Sequence, residues 1–224
     1  ARVTLKNGTL RTANLAIKGN RNEMVFENLT LIGEDRLLVN YPNNLQIANY
    51  SDNPDYYPGR SGYSATGGGF PYYNFNTNSF VGKCRVEGLN YWIQREGMTL
   101  RFKDGETDFL SDLQFFGSWS PAYDITLNVV IDNAKVRSLS ALNSAPGAKN
   151  TGHYCISMIL GECHQPTGEP VWKLSGEFHA TSNSTLSVDA RGRPKGVYPL
   201  IAAARFVDDA DFVKNAQALA DYPS

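Results

Sequence analysis

Apolar residues recur at every second position over much of the chain. Ile125, Leu127, Val129 and Ile131 lie on one side of a two-residue period, the spacing of a strand with one buried face. Similar runs predict strands over 3–6, 10–18, 24–32 and 36–41, then over 90–94, 98–103 and 113–116. Others follow over 154–160, 171–178, 185–188 and 197–207. Asn7-Gly8 and Asp104-Gly105 predict hairpin turns, because both residue types tolerate positive φ. Only 208–221 has helical spacing, through Phe212, Ala216 and Leu219 behind an acidic start, and it predicts a short C-terminal helix.

The expectation is an all-β chain of about ten to thirteen strands with at most one helix. Such a chain folds as a β-sandwich, a jelly roll or a β-solenoid with a β cap, and the leading expectation is a sandwich or jelly roll with a short β-solenoid start. It reads as one β-rich domain over 1–224, and its single candidate break is 49–80.

Composition narrows the function. The chain has 224 residues, 42% of them hydrophobic, enough for a sizeable core. Its net charge is -1 and its basic residues are dispersed, which argues against a nucleic-acid binder. No apolar run approaches the roughly 20 residues that span a bilayer, so no membrane insertion is expected. The start at Ala1 without Met suggests a mature product or an excised fragment. Cys84, Cys155 and Cys163 are too few for a disulfide framework. Asn, Tyr and Phe are abundant and suit turns and pleated surfaces.

Between 49 and 80 the alternation stops. Pro and Gly there are too dense for continuous ladders; long loops in compact domains are usually functional or disordered, and the aromatic content argues against disorder. Tyr56, Tyr57, Tyr63, Tyr72 and Tyr73 stand in this stretch with Asp55 and Asn74. Tyr supplies rigid amphipathic area, amides and carboxylates bond hydroxyls, and the set suits a surface glycan or receptor. The alternative is a loop that buries its own rings or packs at a subunit interface.

His153, Cys155, Cys163 and His164 supply four zinc-type ligands, though without the usual spacing within each pair. Ordinary strand residues, or a Cys155–Cys163 disulfide across a hairpin end, are the other readings. No nucleophile elbow, phosphate loop or zinc-protease motif is present, and no cofactor is expected. Glu106, Asp108, Asp112, Asp124, Asp132 and Glu177 offer material for a glycosidase pair. The sequons at Asn7, Asn28 and Asn183 are near chance in so Asn-rich a chain.

Asn28-Leu29-Thr30-Leu31-Ile32-Gly33 echoes Asn14-Leu15-Ala16-Ile17-Lys18-Gly19 at an offset of 14. The first forty residues thereby resemble the Asn/Gly-punctuated coils of β-solenoid phage tailspikes and tail fibres. The remainder resembles, in composition, the receptor-binding tips of such proteins. The resemblance implies a homotrimer, a virion or extracellular location and binding to a bacterial surface polysaccharide. It carries no catalytic residue. The leading expectation is an attachment domain for a glycan or receptor. A polysaccharide-degrading hydrolase or lyase and a structural virion shell or tail module are the alternatives.

Overall fold

The computed structural model describes residues 2–12, 23–33, 44–45, 77–88, 90–93, 98–115, 124–144, 151–207, 210–214 and 216–219. Every strand pairing among them is parallel. A sandwich or jelly roll is built from antiparallel neighbours, so that expectation gives way to stacked parallel coils. The all-β expectation holds. Asn7-Gly8 and Asp104-Gly105 close no hairpin.

The described strands fall on three faces. The first carries β1 (Arg2–Thr12), β2 (Glu23–Gly33), β4 (Thr77–Val81), β7 (Met98–Leu110), β9 (Asp124–Ser138), β11 (Thr151–Ile159), β14 (Thr185–Asp189) and β17 (Gln217–Leu219), stacked in that order. The second is formed by the far halves of β1, β2, β7 and β9, with β5 (Cys84–Glu87), β12 (Trp172–Leu174) and β15 (Ile201–Ala202). The third is a separate sheet of β3 (Asn44–Leu45), β6 (Asn90–Ile93), β8 (Leu113–Phe115), β10 (Ala141–Leu142), β13 (Glu177–His179) and β16 (Arg205–Val207). Among the described residues only α1 (Ala210–Lys214) is helical, and β17 follows it. The expected C-terminal helix is therefore one turn long.

The bend between the first two faces is made by one residue. Asn7, Asn28, Asp104 and Asn133 have φ near +50°, and Gly82 has φ +73°. The strand registers stack these five in one column. A left-handed residue reverses the alternation. In β7, Met98, Leu100 and Phe102 point inward before Asp104, and Thr107 and Phe109 do so after it. The core face thus continues around the corner. Asn and Asp tolerate this conformation better than other side-chain-bearing residues, and the Asn28 Oδ1 also accepts the Lys83 N–H of a neighbouring coil at 2.9 Å. Gly105 follows the bend because a Cβ there would strike the Gly82 carbonyl.

Inside the coils, rings from all three faces meet. Phe80 stacks on Phe26 at 5.0 Å and on Phe102 at 5.7 Å. Phe109 meets Phe80 and Tyr91 edge-on at 5.5 Å. Farther along, Tyr154, Trp172 and Phe178 fill the interior, and Phe212 of α1 lies against Phe178. Fully burying one such side chain stabilises the fold by roughly 2–3 kcal/mol. Outside, Asp108 bridges Arg137 at 2.7 Å and Arg85 at 3.4 Å across three coils. These pairs are half-exposed and contribute little each.

The repeat is longer than the 14-residue echo suggests. Arg2 lies beside Glu23, 21 positions on, and Met98 beside Leu127, 29 positions on. The copy at 14–19 and the strand expected over 36–41 lie outside the described residues.

Candidate functional site

Coils differ most where the third face returns to the first. β6 to β7, β8 to β9, β10 to β11 and β13 to β14 are joined by 94–97, 116–123, 143–150 and 180–184. The second coil is different. Glu23 of β2 lies beside Thr77 of β4, 54 positions on, although the two strands are immediate neighbours. Residues 46–76 join β3 to β4 within that coil. Tyr56, Tyr57, Tyr63, Tyr72, Tyr73, Asp55 and Asn74 belong to this excursion and lie outside the described residues. The candidate break at 49–80 overruns the scaffold at its end, since β4 begins at Thr77.

Two polar clusters flank the same corner. On the third face, Glu177 and His179 stand on one side of β13, with Phe178 pointing inward between them. His179 Nε2 lies 2.7 Å from Glu177 Oε2, and its Nδ1 lies 3.2 Å from Asn143 Oδ1. Arg205 Nη2 reaches Glu177 Oε1 at 2.5 Å. The His179 hydrogen bond, and then the Arg205 charge, hold the Glu177 carboxyl below the usual carboxylate range. Glu177 is therefore kept anionic, which suits hydrogen-bond acceptance and not proton donation. The sequence carries this cluster as Glu-Phe-His, a carboxylate and an imidazole two residues apart on one strand face. Asn143 and Arg205 join it only through coil stacking.

On the first face, His153 and Cys155 point outward from β11, between inward Gly152, Tyr154 and Ile156. Their register neighbours are Thr126, Asn128 and Thr185. Thr126 Oγ1 lies 2.9 Å from His153 Nε2, and hydrogen bonding to His153, against partial burial, lowers the Cys155 pKa. Gly152 lets this strand sit close to the third face, since a Cβ there would run into the Phe115 ring.

Cys163 and His164 sit elsewhere. They belong to the excursion between β11 and β12, where Cys163 N–H points to Asn133 Oδ1 at 3.4 Å. His164 is 2% exposed; its Nδ1 accepts from Gly161 N–H at 3.0 Å and its Nε2 donates to the Ala134 carbonyl at 2.9 Å. Asn128 and Asn133, beside Cys155 and Cys163 respectively, are five residues apart on β9, a span of about 16 Å along a strand. That excludes both a disulfide and a shared metal for the four residues. No hairpin brings them together, because β11 pairs in parallel on both sides. All three cysteines are free thiols, and no group of three or more metal-type side chains occurs among the described residues.

No protein-family model matches this sequence, and no curated protein and no solved structure matches it either. Among the described residues, no helix is long and apolar enough to cross a membrane.

Proposed function

We propose that this chain is an attachment module, in which a stack of parallel coils presents the aromatic excursion 46–76 to a surface glycan or receptor. One observation carries the reading. The register between β2 and β4 jumps to 54 positions while the two strands remain paired neighbours, so far more chain separates them than separates the neighbouring pair β1 and β2, at 21 positions. Binding residues concentrate on loops held by rigid scaffolds. Tyr56, Tyr57, Tyr63, Tyr72 and Tyr73 offer stacking surfaces for sugar rings, and Asp55 and Asn74 offer partners for hydroxyls. A virion or extracellular setting and a homotrimer belong to the same proposal.

The test is binding to intact cells and to a glycan array by the wild type and by the Tyr57→Ala, Tyr72→Ala, Tyr73→Ala triple variant. The expected result is a loss of about tenfold or more in affinity with the thermal unfolding curve unchanged. Equal binding by the two proteins removes the proposal.

A further inference from the structure

The attachment function makes no use of the first strand. We propose that the open edge of β1 is a docking site for an extended acidic segment of a partner protein. The segment adds as a further parallel strand and sets carboxylates beside Arg2 and Lys6. β1 stands at the end of its sheet and, among the described residues, pairs with β2 alone. An edge strand of 11 residues presents a row of backbone N–H and C=O groups to an incoming strand.

The core side of this edge is unfinished. Val3, Leu5, Gly8 and Leu10 stand in register with Met24, Phe26, Leu29 and Leu31 on the core side of β2. Phe26 and Leu31 are fully buried, whereas Val3 is 50% exposed, and a Cβ on Gly8 would meet nothing within 4 Å. The far end of the stack is closed differently. There β17 is three residues long, and Phe212 of α1 packs against Phe178. Short edges and helical covers are how sheets avoid unwanted pairing, and among the described residues β1 has neither.

Charge selects the occupant. The charged residues of β1 are Arg2, Lys6 and Arg11, all cations. β2 answers two of them in register, with Glu23 3.3 Å from Arg2 and Glu27 2.7 Å from Lys6. One charge can serve partners on both sides of its strand. Asp108 does so elsewhere in the molecule, pairing in register with Arg137 of β9 and Arg85 of β5. Carboxylates four residues apart on an added parallel strand would meet Arg2 and Lys6 in the same way. A second copy of β1 would instead bring three cations from each chain to one seam, and like charges across strands are destabilising.

The probe is a synthetic peptide with the sequence of β2, residues 23–33, whose register with β1 the fold already displays. Amide exchange of the intact chain is measured with and without millimolar peptide, and affinity by anisotropy of the labelled peptide. The expected result is added protection in β1 with β2 unchanged. The same peptide with Glu23→Lys and Glu27→Lys is expected to bind several-fold more weakly at low salt, and the difference to narrow as salt is added. In the chain, Arg2→Gln with Lys6→Gln is expected to remove the preference between the two peptides. Val3→Asp, at an exposed position, is expected to abolish the protection and leave thermal unfolding unchanged. The two-peptide comparison on the wild type decides even if a variant fails to fold. No added protection in β1, equal affinity for the two peptides, or lost protection in β2 overturns the proposal. Self-association of the chain that Val3→Asp abolishes, without uptake of peptide, assigns the edge to a second copy and overturns it as well.

Discussion

The early and late coils turn the same corner in different ways. Asn7, Asn28, Gly82, Asp104 and Asn133 each turn it with one left-handed residue, and in β1, β2, β7 and β9 the strand continues unbroken through it. After β11 and β14 the corner opens into longer segments, 160–171 and 190–200. The first solution needs little beyond a residue that tolerates positive φ and a side-chain oxygen that reaches the next coil. The second places its left-handed residues, Thr167 and Gly192, inside the longer segments, and in 160–171 a buried imidazole fills the corner. His164 links Gly161 to Ala134 of the preceding coil, the kind of contact between neighbouring coils that Asn28 makes with Lys83. A stack of coils therefore accepts an insertion at a corner when one side chain restores the lost backbone contacts.

Truncating Phe80 gives the largest effect. Phe80→Ala removes a ring in contact with Phe26, Phe102 and Phe109 and is expected to cost about 3–5 kcal/mol, read from urea unfolding. Amide exchange on the same variant sharpens the comparison. Loss of protection confined to β2, β4 and β7 means that early and late coils unfold as separate units, as neighbour-limited contacts allow. Loss shared by β11, β12 and β14 means one cooperative unit.

The late corner ranks next. His164→Ala leaves the buried Ala134 carbonyl without its donor and is expected to cost about 2–3 kcal/mol. Burial holds the His164 pKa below its ordinary value. The unfolded chain thus binds this proton more readily, so the stability contributed above about pH 6.5 is lost as pH falls through the folded value. His164→Gln, which keeps a donor and an acceptor, is expected to flatten that part of the stability–pH curve. An unchanged curve would show that His164 does not hold the corner as a neutral ring.

The early corner gives the smallest single change, through Asn28→Gly. Asn28→Gly keeps access to positive φ and loses only the Lys83 contact, about 1 kcal/mol. Asn28→Ala adds the left-handed penalty of roughly 1–2 kcal/mol. Equal midpoints for the two variants would mean that backbone conformation is not what Asn28 supplies.

Much of this was legible as local pattern. The inward set Ile125, Leu127, Val129 and Ile131 is fully buried. Phe212, the first of the three helically spaced residues, does anchor α1. Asn-Gly and Asp-Gly were correctly marked as positive-φ positions, but positive φ serves a hairpin and a one-residue bend equally. The deciding signal was the alternation, which changes parity across Asn28 and Asp104 instead of resuming in an opposing strand. The Asn-x-Thr at Asn7 and at Asn28, 21 residues apart, matches the offset between the first two coils.

The sequence by itself determined strand-dominated structure, the inward residues and the place where regular alternation ceases, because each depends on spacing over a few residues. Only tertiary structure decided that neighbours pair in parallel, that β2 meets β4 across the excursion, that Arg205 and Asn143 join Glu177 and His179, and that Cys155 and Cys163 stay apart. Those facts depend on coil length. Loop closure costs only slowly more as a loop lengthens, so local spacing does not fix which distant strands become neighbours.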